Sequence, residues 1–242
     1  MGSESTMAVQ LGLALVAASV LNLDRLALGQ NAIGRPLVAG MLVGLIVGQT
    51  KLGLTLGLWA EVLWLVRPPL GGAIIPNGGL AVSAALVGVA GCLSWLGLPQ
   101  DPEMPLPVLA LAMVVPLAHY LTTIETVTRW WGKKAHARLT ADLKEGLSPK
   151  LIYPNLVAVG LTFGAALGLS VLAAIAVALG MAIAITWMPP GFWPPLRHLE
   201  KLAPLLCLAY MGMGLSRRKL SYYALATVII LAMLSLFLLA ND

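Results

Sequence analysis

The sequence predicts an all-α polytopic membrane protein in which full transmembrane helices alternate with short, broken or re-entrant ones. Three observations predict it. Hydrophobic residues make up 59% of the 242 residues and charged residues only 10%, where an average soluble domain has about a quarter charged. The mean hydropathy is +0.90. The apolar runs are continuous rather than alternating, which excludes a transmembrane β-barrel, and several are too short for the ~20 residues that a helical span needs.

Taken in order, residues 9–23 form the first apolar segment, and residues 36–48 and 52–66 are short. Residues 80–98 and 106–126 are long enough to span, residues 156–187 are long for one span and short for two, residues 202–215 are short, and residues 223–239 fit a last span. Short apolar segments punctuated by Gly and Pro mark discontinuous helices, and their freed backbone groups must face protein or a wet cavity rather than lipid. One integral membrane domain over residues 1–242 is expected. It divides into an N-terminal part (7–128, containing a cassette at 28–83), a basic connecting loop (129–153) and a C-terminal helical part (154–242).

Charge sets the expected orientation. Arg129, Lys133, Lys134, Arg138, Lys144 and Lys150 outnumber Asp142 and Glu145 in the basic stretch, so it belongs on the cytoplasmic side. Residues 99–105 carry Asp101 and Glu103 without a basic residue and belong outside. Arg217, Arg218 and Lys219 belong inside, which places the C-terminus outside. The N-terminus lacks the basic region of a cleavable signal peptide. The net charge of +5 is a topology signal, so no nucleic-acid partner is expected.

Cys92 and Cys207 lie in apolar runs without ligands at metal spacing and read as buried thiols. His119 stands alone in an apolar span and reads as a satisfied core residue, and Glu125 with Arg129 reads as a structural i,i+4 pair. Phosphate-binding loops, zinc patterns and nucleophile elbows are absent from the sequence. No catalysis by this chain alone, no metal and no cofactor are therefore expected.

The cassette carries the chemistry. Glu61 sits deep in apolar sequence, where an acid costs about 2.5–3.5 kcal/mol on insertion scales, and shares a helix face with Gly57 and Trp64. A carboxylate beside an indole suits a sugar, since the acid accepts from hydroxyls and the ring packs on the apolar C–H face. The competing reading is an ion pair with Arg35, Lys51 or Arg67. Pro36 is placed to open a helix, so Arg35 stands where its charge opposes the helix dipole. It has a carboxylate partner, a headgroup or a substrate there, or it snorkels to the interface. Residues 68–79, PPLGGAIIPNGG, are apolar yet unable to form regular helix, and end on the amide of Asn77. Asp24 and Asn31 either line the same cavity or terminate the first span. Gly40, Gly44 and Gly48 repeat every fourth residue, as do Gly160, Gly164 and Gly168. Each ladder is suited to close helix packing, and the two mark either an internal repeat or two independent packing faces.

The run Arg35-Pro36-Leu37, Gly44-Leu45, Gly48, Gly53, Glu61, Gly71-Gly72-Ala73 and Pro76-Asn77 resembles the IIC permease subunit of the mannose/fructose/sorbose family of the bacterial sugar phosphotransferase system, most closely over residues 28–83. The resemblance implies a subunit of the bacterial cytoplasmic (inner) membrane that pairs with a homologous IID-type subunit, the pairs assembling into trimers. It implies sugar bound in a mobile core of broken helices and carried by an elevator-type motion. Phosphate comes from a histidine of a cytoplasmic IIB protein fed by IIA, and the IIC chain is not itself phosphorylated. The family's sugar-contacting positions fall on Gln30, Asn31, Glu61 and Asn77. Gln30, Asn31, Gln49 and Asn77 are amides in places where the family tends to carry acids, so Glu61 is the remaining acid of the set.

The function expected is therefore translocation of a hexose or amino sugar, with Glu61, Asn77, Gln30, Asn31, Trp64 and Arg35 as the binding residues. The alternatives are a non-transporting paralogue acting as a membrane regulator or assembly partner, and a solute transporter uncoupled from phosphorylation.

Overall fold

The computed structural model describes residues 2–26, 31–65, 74–99, 104–146 and 152–215. They form α1 (Gly2–Leu26), α2 (Pro36–Ile46), α3 (Thr50–Trp64), α4 (Gly78–Trp95), α5 (Leu106–Tyr120), α6 (Thr123–Lys144), α7 (Ile152–Trp187) and α8 (Trp193–Leu215), with a 3₁₀ turn at Pro190–Phe192. The described residues contain no strand, so the fold is all-α. Among the described residues four stretches are helical, long and apolar enough to cross a membrane: Ser5–Arg25, Gly78–Trp95, Leu106–Lys144 and Pro154–Trp187. The chain is a multi-pass membrane protein.

α4 is the central post. It carries no charged residue, and its buried side chains run on every face from Leu80 to Leu93. A helix apolar all round is either a lipid-facing span or enclosed by protein, and this one is enclosed, since α1, α2, α3, α5 and α7 all pack on it. At Gly88 it approaches α7 so closely that a Cβ would stand 2.5 Å from the Ala174 carbonyl oxygen.

The two short cassette segments fold as a tight hairpin. α2 ends at Ile46, and Gly48 turns the chain with φ +73°. The Gln49 N–H then donates to the Gly44 carbonyl (2.7 Å). Gly40 and Gly44 on α2 face Gly53 and Gly57 on α3. A Cβ on Gly40 would run into the Gly53 carbonyl, and one on Gly57 would stand 2.7 Å from the Pro36 carbonyl oxygen. The six ladder glycines thus fall into three settings. Gly40 and Gly44 lie in the helix contact, whereas Gly48 is the turn residue, with open space where a Cβ would be. Gly160, Gly164 and Gly168 lie on an exposed face of α7. Among the described residues nothing comes within 4 Å of a Cβ built on any of these three.

Four segments differ from the sequence expectation. Residues 106–126, expected as one span, are divided between α5 and α6 by a turn at residues 121–122. Residues 156–187 belong to one unbroken helix of 36 residues, α7. At 1.5 Å per residue it is roughly 54 Å long, more than the ~30 Å apolar core of a bilayer. It contains no charge, and its one proline, Pro154, sits in its first turn, so nothing breaks it into a hairpin. Residues 202–215 are the second half of α8, which begins at Trp193 and continues through Pro204. The stretch expected as a basic loop is helical up to Lys144 as α6. An acid in its first turn, Glu125, and a base in its last, Lys144, complement the helix dipole. The charge cluster 217–219 and the last apolar segment lie outside the described residues.

Candidate functional site

The site forms where α1 ends and α2, α3 and α4 meet, and backbone irregularities build it. α1 stops at Leu26. Beyond it, Asp24 organises the entry to α2. Its carboxylate accepts the N–H groups of Asn31 (2.8 Å), Ile33 (2.8 Å) and Gly34 (3.3 Å). Ala32, at φ 65°, occupies the left-handed region inside this turn. Asp24 is thus spent on holding the turn that delivers Arg35 and Pro36.

Arg35 is the N-cap of α2, and Pro36 occupies the first turn. The Glu61 carboxylate reaches this end from α3. Its Oε1 pairs with Arg35 Nη1 at 2.8 Å, and its Oε2 accepts the Leu37 N–H at 3.4 Å. A carboxylate at a helix N-terminus is favoured by the dipole and by the free N–H groups there. Glu61 thus resolves the unfavourable position of Arg35. Of the three cations near it in sequence, Arg35 is the partner, Lys51 is exposed, and Arg67 lies outside the described residues. The Glu61 side chain is 16% exposed and that of Arg35 55%. An ionised carboxylate offers about four lone-pair sites, so two protein contacts leave acceptor capacity.

Trp64, one turn beyond Glu61, lies against the first residue of α4. A Cβ on Gly78 would run into its ring and stand 2.9 Å from Pro36 Cγ. Gly79 presses as closely on the Gly34 carbonyl. The Gly78-Gly79 pair is therefore what lets α4 start directly against the α2 entry.

Asn77 caps α4. Its Oδ1 accepts the Leu80 N–H (3.4 Å), and its Nδ2 donates to Asn22 Oδ1 on α1 (2.8 Å). Its own N–H donates to the Ala118 carbonyl (2.8 Å). That carbonyl is free because the chain breaks between α5 and α6. The Thr122 N–H bonds back three residues, to His119 (3.2 Å), and so leaves Ala118 without its helical partner. The broken-helix principle is visible here in a single bond, since one interrupted helix supplies the acceptor that anchors the next.

Arg25 ties these parts together. Its guanidinium donates to the Ile75 carbonyl (2.7 Å) and the Pro76 carbonyl (3.2 Å), and pairs with Glu125 on α6 (3.7 Å). Glu125 is also paired with Arg129, the i,i+4 pair expected from the sequence. Arg25→Gln should lower the thermal midpoint of the purified protein by several degrees, because hydrogen bonds to a charged donor contribute about 1.5–3 kcal/mol each. An unchanged midpoint in a detergent melting curve would show that the clamp adds nothing.

Of the residues expected at the site, the structure brings Arg35, Glu61, Trp64 and Asn77 around the α2 and α4 starts. Asn31 contributes its backbone N–H to Asp24 and is exposed. Gln30 and the proline-loop residues up to Ala73 lie outside the described residues. His119 is exposed rather than core, its Nδ1 2.9 Å from the Val115 carbonyl oxygen. Cys92 and Cys207 are buried thiols. Among the described residues no three His, Cys, Asp or Glu side chains cluster as a metal site. Sequence reasoning missed Asn22 and Arg25, and gave Glu125 only its local partner. The signal available for Asn22 was an amide inside the apolar run 9–23.

In chemical terms the arrangement offers a carboxylate balanced by a guanidinium, with an indole one turn away. A family model described as the PTS system sorbose-specific IIC component matches residues 8–240 of the chain. A search of curated proteins finds no match.

Proposed function

Because the chain belongs to the EII-Sor family of sorbose-type IIC components, and so has a permease role in the sugar phosphotransferase system, we propose that it binds a hexose or amino sugar at the junction of α2, α3 and α4. Glu61 accepts from sugar hydroxyls while Arg35 balances its charge. Asn77 orients the start of α4, Trp64 packs on the sugar's C–H face, and Asn31 and Gln30 complete the site from the α1–α2 connection. The observation that carries this reading is the Glu61 carboxylate. It is held at a helix N-terminus deep in apolar sequence, with two protein contacts and lone pairs left over to accept more.

As a component of a membrane complex, the chain works with other phosphotransferase proteins. We take these to be a IID-type membrane subunit, in trimers of the pair, and soluble IIA and IIB phosphocarriers. The setting is the bacterial cytoplasmic membrane, and the basic helix α6 faces the cytoplasm. Phosphate is delivered by IIB, so the site only has to bind and carry the unphosphorylated sugar.

The test is reconstitution in vesicles with L-sorbose, D-mannose, D-fructose and D-glucosamine. Sugar phosphate should accumulate only when the IID-type subunit, IIA, IIB and a phosphoryl donor are all present. Free sugar accumulating in vesicles that hold this chain alone would establish an uncoupled transporter instead. Insertion without uptake or phosphorylation of any of the four would favour the non-transporting paralogue.

A further inference from the structure

The amide of Asn22 is unexplained by everything above. Its orientation follows from its neighbours. The Leu80 N–H requires Asn77 to present Oδ1, so Asn77 Nδ2 must point to Asn22, and Asn22 must answer with Oδ1. Asn22 Nδ2 is therefore turned away from its one side-chain partner. That nitrogen is buried and makes no hydrogen bond. Buried donors are almost always satisfied, and an orphan calls for an occupant.

Among the described residues no acceptor lies within hydrogen-bond reach of it, so the acceptor is one that they do not supply. Its charge class follows too: Arg25 and Arg129 are together balanced by Glu125 and Asp24, so no net positive charge is left to attract an anion. A neutral oxygen, as in a hydroxyl, fits.

We propose that Asn22 is a ligand-binding residue, its Nδ2 donating to a hydroxyl oxygen of the transported sugar while its Oδ1 holds Asn77. The proposal rests on the permease reading given above and adds α1 to the site.

The experiment is thiol accessibility in membranes that contain the chain with its IID-type subunit. Asn22→Cys is placed in a background with Cys92→Ala and Cys207→Ala and exposed to a membrane-impermeant maleimide. Asn31→Cys, at an exposed position, is the reference. Asn22→Cys should label, and at least one of L-sorbose, D-mannose, D-fructose and D-glucosamine should slow that labelling several-fold. A silent position 22 beside a labelled position 31 overturns the proposal, and so does labelling that none of the four sugars slows.

Asn22→Asp gives a second readout if the cysteine variant does not insert. It keeps the acceptor for Asn77 and removes the donor. Its uptake KM should rise about tenfold, the loss of one hydrogen bond, with the maximal rate retained. An unchanged KM overturns the proposal. Failure of the permease reading shows separately, as a wild-type chain that takes up none of the four sugars.

Discussion

Glu61→Gln should insert normally and lose sugar uptake by about a hundredfold or more. The substitution preserves shape but removes the charge from the group that accepts from both Arg35 and the Leu37 N–H. Hydrogen bonds to a charged acceptor are worth about 1.5–3 kcal/mol each, and a sugar presenting two hydroxyls to the carboxylate would lose two at once. Arg35 is left opposing the α2 dipole without a counter-charge. The same geometry also fits a purely structural ion pair, and a charge exchange separates the two readings. The double variant Arg35→Glu, Glu61→Arg restores an ion pair between the same two helices but puts the acid in the wrong place for substrate. Restored insertion without restored uptake is expected. Full recovery of uptake by the exchange, or undiminished uptake in Glu61→Gln, would remove Glu61 from the substrate site.

How much of this was legible in the sequence depended on whether the signal was local. The short cassette helices were readable because proline, glycine and length act within a few residues: Pro36 opens α2 and Gly48 closes it. The burial of Glu61 in apolar sequence was readable for the same reason. Its choice of Arg35 over Lys51 or Arg67 was not, because it depends on the hairpin folding α3 back along α2. Arg25 and Asn22 were invisible as site residues because their partners, Ile75, Pro76 and Asn77, lie some fifty positions away. The α7 ladder shows the converse limit. Spacing of glycines specifies a smooth strip on a helix but not what faces it. Gly88, which belongs to no ladder, makes the close α4–α7 approach instead. The helical form of the basic stretch is hidden when charge is taken as a topology signal alone. Lys, Arg, Ala and Leu are also good helix formers, and α6 uses them so.

Gly53→Leu should abolish assembly and uptake together. A Cβ at Gly53 would overlap the Gly40 carbonyl and stand 3.2 Å from the Gly44 Cα. Both neighbours are backbone, so no side chain can rotate away. Overpacking a yielding core costs about 1–3 kcal/mol, and this contact has less to yield. The only relief is for α2 and α3 to splay. Glu61 lies eight residues beyond Gly53 on the same face of α3, and its partner Arg35 lies at the opening of α2. Splaying therefore separates the ion pair, frees the Leu37 N–H, and draws Trp64 off Gly78. Gly164→Leu is the control. It adds the same volume in a ladder of the same spacing, on the exposed face of α7, where the described residues leave the space open. It should leave expression and the thermal midpoint close to wild type. The decisive measurement is the monodisperse fraction in size-exclusion chromatography, read beside uptake. If Gly53→Leu assembles and transports while Gly164→Leu does not, the close hairpin is not what holds the site together, and the packing that matters runs along α7.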